Sequence, residues 1–91
     1  MRFSPMRGCR RSVREQRYVF ALLENWDALS AERKMELRGL VDAVAIDATE
    51  ARALWEVLRG RSVESTARRT YVTERRIYEL KSRFYERVAI R

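Results

Sequence analysis

Helix breakers are nearly missing from this chain once its first residues are passed. The only proline is Pro5, and the only glycines are Gly8, Gly39 and Gly60. Proline fixes φ and removes an amide donor, so nothing after residue 5 interrupts a helix on that account. Three glycines leave little material for the positive-φ turns of tight β-hairpins. The remainder is dominated by Ala, Leu, Arg and Glu, which are strong helix formers. An all-α fold is expected: a compact helical domain of about five helices. Ninety-one residues suffice for one domain with a modest core.

Cap residues and apolar spacing divide the chain. Residues 1–11 carry Pro, Gly and several arginines and read as a flexible basic arm. Ser12 with Glu15 makes a capping box for a first helix running to about Leu29. Its apolar face is Val13, Phe20, Leu23 and Trp26, widened by Val19 and Leu22, and Arg14, Arg17, Glu24 and Asn25 lie opposite. Ser30 caps a second helix, with Glu32 in its first turn and a stripe of Leu37, Leu40, Val41 and Val44; Gly39 within it marks a close contact. Asp47 caps a third helix, with Glu50 reaching back to complete a box. Its stripe is Ala51, Leu54, Trp55 and Leu58, with Arg59 in the last turn and Gly60 as the stop. Ser62 caps a fourth helix of about eight residues. Thr73 caps a fifth from Glu74 to about Ala89, with a seam of Ile77, Leu80, Phe84 and Val88. Residues 12–46 are expected to form a helical hairpin and residues 47–91 a C-terminal unit, within one domain. Trp26 and Trp55 are expected as core anchors.

The net charge is +7, and the signs are segregated. Residues 1–17 hold six arginines against Glu15. Residues 18–58 hold four basic and eight acidic side chains, and residues 59–91 hold ten basic and four acidic. Two basic ends flanking an acidic middle suit a polyanionic partner that touches both ends, the alternative being a charge bias without a partner. Cys9 is the only cysteine and there is no histidine, so no internal disulfide forms and no cofactor or metal is expected. "MRFSPMRGCRR" lacks a signal peptide's apolar block, and no apolar run is long enough to span a membrane. A reducing, cytoplasmic location with no membrane association is expected. No phosphate-cradling loop or nucleophile–base pair is present, so an enzyme is not expected.

Residues 63–82, "VESTARRTYVTERRIYELKS", meet most demands of a helix-turn-helix, two helices packed at roughly 90–120° across a turn of 3–4 residues. Ala67 is the small residue that lets the helices approach. Val72 plugs the space after the turn, Thr73 caps the second helix, and Ile77 and Leu80 face inward. Three positions depart from the usual pattern. Thr66 and Thr70 stand where aliphatic side chains are usual, and Tyr71 stands where glycine is usual because the turn needs positive φ. A threonine hydroxyl can bond a carbonyl one turn back.

"RSVESTARRTYVTERRIYELKSRFYERV" (61–88) resembles the C-terminal DNA-binding region of sigma factors, region 4. Val72, Thr73, Arg76 and Ile77 match the recognition helix of primary sigma factors, and "EARALWEVLRGRSVES" resembles the helix leading into it. The resemblance covers roughly residues 48–89. It implies a recognition helix, 73–89, in the major groove of double-stranded DNA, with Thr73, Glu74, Arg75, Tyr78 and Glu79 at base edges or nearby phosphates. Arg75 suits guanine, and Glu74 or Glu79 suits cytosine. Arg76, Lys81 and Arg83 suit phosphates, and Arg68 and Arg69 lie over the backbone; in the N-terminal arm Arg7, Arg10 and Arg11 suit phosphates or the minor groove, the alternative being a disordered arm without contact. Glu74 and Arg75 depart from the order common in primary sigma factors, so no target sequence is implied.

The chain has no core-promoter-binding domain, and its size and layout are similar to small phage-type transcription regulators of the ArpU/RinA kind. A sequence-specific transcription regulator is the expected function, a homodimer an expected form, and RNA polymerase an expected further partner. Two alternatives stay open: the DNA-recognition small subunit of a packaging terminase, which would form rings, and a protein-binding module acting through residues 13–44.

Overall fold

Each helix starts where a short polar side chain meets its first free amides. In the computed structural model, which describes residues 2–90, Ser12 accepts from Glu15 N at 3.2 Å and opens α1 (Val13–Glu24). Ser30 accepts from Arg33 N and opens α2 (Ala31–Val44); Asp47 accepts from Glu50 N and opens α3 (Ala48–Leu58). Ser62 accepts from Ser65 N before α4 (Val63–Thr70), and Thr73 from Arg76 N before α5 (Glu74–Arg87). The described residues are thus all-α, with five α-helices and no strand. Residues 1 and 91, the outer limits of the expected arm and domain, lie outside them.

The ends of the helices differ in places from expectation. The first helix does not run to Leu29: the Asn25 side chain and backbone N–H both donate to Ala21 O, and a short 3₁₀ turn, Trp26–Ala28, follows. Asparagine competes with the next helical bond in this way. Gly60, with φ 108°, takes the left-handed position after α3. α4 stops on Tyr71, at φ 61° and ψ 19°, so the chain does not continue as one rod into α5. A non-glycine residue there costs roughly 1–2 kcal/mol. Of the two capping boxes, the Ser12–Glu15 box is complete. Glu50, however, reaches past Asp47 and accepts from Ile46 N at 3.0 Å.

The core forms two clusters that share α3 and α5. The larger joins Val19 and Leu23 of α1 to Leu37, Val41 and Val44 of α2, Leu54 and Leu58 of α3, and Leu80, Phe84, Tyr85 and Val88. The smaller joins Ala53 and Val57 of α3 to Val72 and Ile77, with Val63 and Ala67 packed against it. Burying each large aliphatic or aromatic side chain contributes roughly 1.5–3 kcal/mol, so the larger cluster dominates. Trp26 and Trp55 are half-buried against it, edge to face at 4.9 Å. Arg59 lies over both rings, at 5.5 and 5.9 Å.

Two expected positions differ, one in the core and one at a glycine. Val13 is 48% exposed, and buried Gln16 occupies the inward position one turn on. Gly39 marks no close contact: a Cβ there would meet nothing within 4 Å.

Residues 2–11, expected as a flexible arm, make defined contacts. Gln16 accepts from Met6 N at 2.8 Å and donates to Arg11 O at 3.0 Å, and Met6 and Cys9 pack on the larger cluster. Arg11 ties off the end of α5, donating to Tyr85 O at 3.3 Å, Glu86 O at 2.9 Å and Val88 O at 2.7 Å. From α2, buried Arg33 donates to Ala89 O at 2.9 Å. The last carbonyls of a helix lack intrahelical donors, and cations are favoured beside them.

At α4, Thr70 bonds Thr66 O through its hydroxyl at 2.8 Å, as the spacing predicts. Thr66 is fully buried, and its own hydroxyl has no partner. Thr66→Val keeps the shape and removes an orphaned polar group, so it should stabilise the fold by about 1–3 kcal/mol, read as a higher urea midpoint at unchanged m-value.

Candidate nucleic-acid interface

Which α5 side chains face outward follows from which are held in. Ile77, Leu80 and Phe84 are fully buried and Tyr85 nearly so. With 3.6 residues per turn, this leaves Arg75, Tyr78, Glu79, Ser82, Arg83 and Glu86 on the opposite face. Thr73, Glu74, Arg75, Glu79 and Arg83 are exposed, and Tyr78 is 48% exposed. Arg75 forms no hydrogen bond or ion pair with another described residue.

Residues 7–10 widen this face. Arg10 N donates to the Glu86 carboxylate at 2.8 Å, which lays the chain beside the C-terminal half of α5. Arg7, Gly8 and Arg10 then line an open groove of about 630 Å³ with Arg75, Tyr78, Glu79, Ser82, Arg83 and Glu86. Four guanidinium groups meet two carboxylates there, so the groove is net cationic and suits an anionic partner. A second open depression, between α4 and the first turn of α5, is bordered by Arg68, Tyr71, Thr73 and Glu74.

Several residues expected at phosphates are engaged within the chain. Arg76 binds Glu50 of α3 through two hydrogen bonds, Nε to Oε2 at 2.8 Å and Nη2 to Oε1 at 3.0 Å. The paired guanidinium, aided by the Ile46 amide, holds the Glu50 carboxyl below its ordinary 4.5. Arg69 pairs with Glu56 of α3. Arg68 pairs with Glu64 at 3.0 Å, but both side chains remain largely exposed, so this pair is weak and readily exchanged.

Lys81 lies on another side of α5, its ammonium 5.8 Å from the Tyr85 ring, bordering a cavity of about 340 Å³ among α1, α3 and α5. Burial lowers its pKa, and burial pushes the Tyr85 phenol up to about 12. Arg11, grouped above with Arg7 and Arg10, is committed to the α5 carbonyls.

The structure therefore brings Arg75, Tyr78, Glu79 and Arg83 onto one groove, places Thr73 and Glu74 with Arg68 at the neighbouring depression, and sets Arg69, Arg76 and Lys81 apart. The docking of residues 7–10 has no local signal, because Arg10 and Glu86 are 76 positions apart. Among the described residues no His, Cys, Asp or Glu cluster is shaped to hold a metal, and no helix is long and apolar enough to cross a membrane. Compared with protein-family models, with curated proteins and with solved structures, the chain matches none.

The Glu50–Arg76 pair sets a pH dependence. A carboxyl lowered in the folded state contributes stability above its ordinary value, and that contribution is lost as pH falls through the lowered one. Glu50→Gln should cost about 1–2 kcal/mol at neutral pH, the pair being only partly shielded from water. The deficit should shrink on acidification from about pH 5 downward, as the parent loses the same contribution. Urea titrations of both proteins across that range measure it.

Proposed function

We propose that this protein is a sequence-specific, DNA-binding transcription regulator in which α4 and α5 act as a helix-turn-helix and α5 enters the major groove. The observation that carries it is the outward face of α5: Arg75, Tyr78, Glu79 and Arg83 stand clear of the core on a rigid helix, and Arg7 and Arg10 extend the same cationic surface. An α-helix fits the major groove, and bidentate arginine is the commonest reader of guanine.

In this arrangement Arg75, Tyr78 and Glu79 read base edges, with Thr73 and Glu74 at the entering end. Arg83, Arg68, Arg7 and Arg10 contact phosphates, which position the helix without specifying sequence. Arg76 acts from behind, fixing α5 to α3 through Glu50. The sigma region 4-like segment fits a phage-type regulator working in a bacterial host's cytoplasm. A symmetric site would be read by a homodimer, and the surfaces of α1 and α2 away from this face leave room for RNA polymerase.

Selection from a random duplex pool, followed by titration of the winning duplex across salt, tests the proposal. Four phosphate contacts should give a log–log salt slope of about −3.6. Arg75→Ala should lose about 1–3 kcal/mol and relax discrimination at one base pair. Arg83→Ala should weaken all duplexes alike and reduce the slope by about one. A flat salt response would favour a protein-binding module, and a ring-sized mass by light scattering would favour a packaging subunit.

A further inference from the structure

α4 ends on a side chain for which the fold has no use. Tyr71 is 94% exposed, the most exposed of the large apolar and aromatic side chains described. Its backbone N–H donates to Ala67 O, which any residue but proline would do; its ring and hydroxyl meet no described partner. Its backbone is left-handed, the one positive-φ position outside glycine among the described residues. Glycine suits that conformation without strain, and asparagine tolerates it. Stability alone therefore argues against a tyrosine here on two grounds: a disfavoured backbone and an aromatic ring left in water. Observed strain of this kind points toward function.

The position supplies the function. Tyr71 stands two residues before Thr73, on the rim of the depression shared by Arg68, Thr73 and Glu74, beside the end of α5 that enters the groove. Resting on the DNA-binding function proposed above, we infer that Tyr71 is a direct contact to the DNA backbone: its phenol O–H donates to a phosphate oxygen beside the one Arg68 approaches. The left-handed turn aims the side chain away from the core and toward that edge. A phenol is a neutral donor, so this contact adds affinity without releasing a counterion, unlike the arginines around it.

The difference gives the contact its own signature. The parent protein, Tyr71→Phe, Tyr71→Gly and Arg68→Ala are titrated by fluorescence anisotropy with the duplex the parent selects, between about 50 and 200 mM salt. Tyr71→Phe should bind about 3–10-fold more weakly, the loss of one hydrogen bond, and Tyr71→Gly at least as weakly. Both should keep the parent's salt slope, whereas Arg68→Ala should lower it by about one. In thermal unfolding Tyr71→Gly should melt no lower than the parent, which separates lost binding from lost folding. Parental affinity in Tyr71→Phe and Tyr71→Gly overturns the contact and assigns the ring to another partner, a protein included. Failure of the parent to select any duplex removes the DNA-binding function itself, and the contact with it.

Discussion

Rotation of α5 about its own axis is fixed by Ile77, Leu80 and Phe84, each fully buried, with Val88 buried just beyond the helix. Their spacing is helical, so locking one side of the helix against α2, α3 and α4 determines what the other side presents. The Arg76–Glu50 pair acts on the same degree of freedom from the flank, through two hydrogen bonds that one rotation satisfies together. Relative energies separate the roles. The apolar row contributes several times what one partly shielded ion pair can. The row holds the helix in place, and the pair, being directional, discriminates between neighbouring rotations.

Among the arginines are two groups that composition alone does not separate. Arg11, Arg33, Arg59 and Arg76 are spent on the protein itself, at helix-end carbonyls, over the two tryptophans and on Glu50. Arg11, Arg33 and Arg76 have the guanidinium where several donors are needed in a fixed fan, which a lysine could not supply, while Arg59 donates once, to Leu23 O, and lies over the rings. Arg7, Arg10, Arg75 and Arg83 instead line one groove. The charge excess at both ends of the chain thus serves two purposes. Part of it closes the N-terminal segment onto the end of α5, and another part, Arg7, Arg10, Arg75 and Arg83, is what that closure gathers onto one surface.

Much of the fold was legible because its signals are local. Ser12, Ser30, Asp47, Ser62 and Thr73 each cap the helix their position announces, since a cap bonds an amide three residues away. The seam of α5 was legible because periodicity is local too. What was not legible lies between distant residues. Nothing near Arg76 says that it meets a carboxylate 26 positions earlier, or near Arg11 that it meets carbonyls 74 to 77 positions later. Lys81 looks like its cationic neighbours in sequence but lies a fraction of a turn round the helix, toward the cavity beside Tyr85. The burial of Gln16 has no sequence signal, because a buried amide resembles a solvated one until the segment it binds, Met6 and Arg11, is in place.

Departures from local preference collect at one junction. Thr66, buried with an unsatisfied hydroxyl, and Tyr71, left-handed and uncovered, both lie in or beside α4. That segment is held by the smaller cluster, Ala53, Val57, Val72 and Ile77, while the larger cluster secures α1, α2 and most of α5. Regions with fewer buried apolar contacts open at lower free energy than the rest of a domain. The fold can carry a strained turn there because α3 and α5 are each anchored in both clusters, so α4 need only dock onto a platform already formed. Sequences that specify a fold agree with themselves at most levels and break the agreement where something besides folding is served. By that criterion the α4–α5 junction, with the exposed face of α5 beside it, is where this chain gives up stability in exchange for a surface.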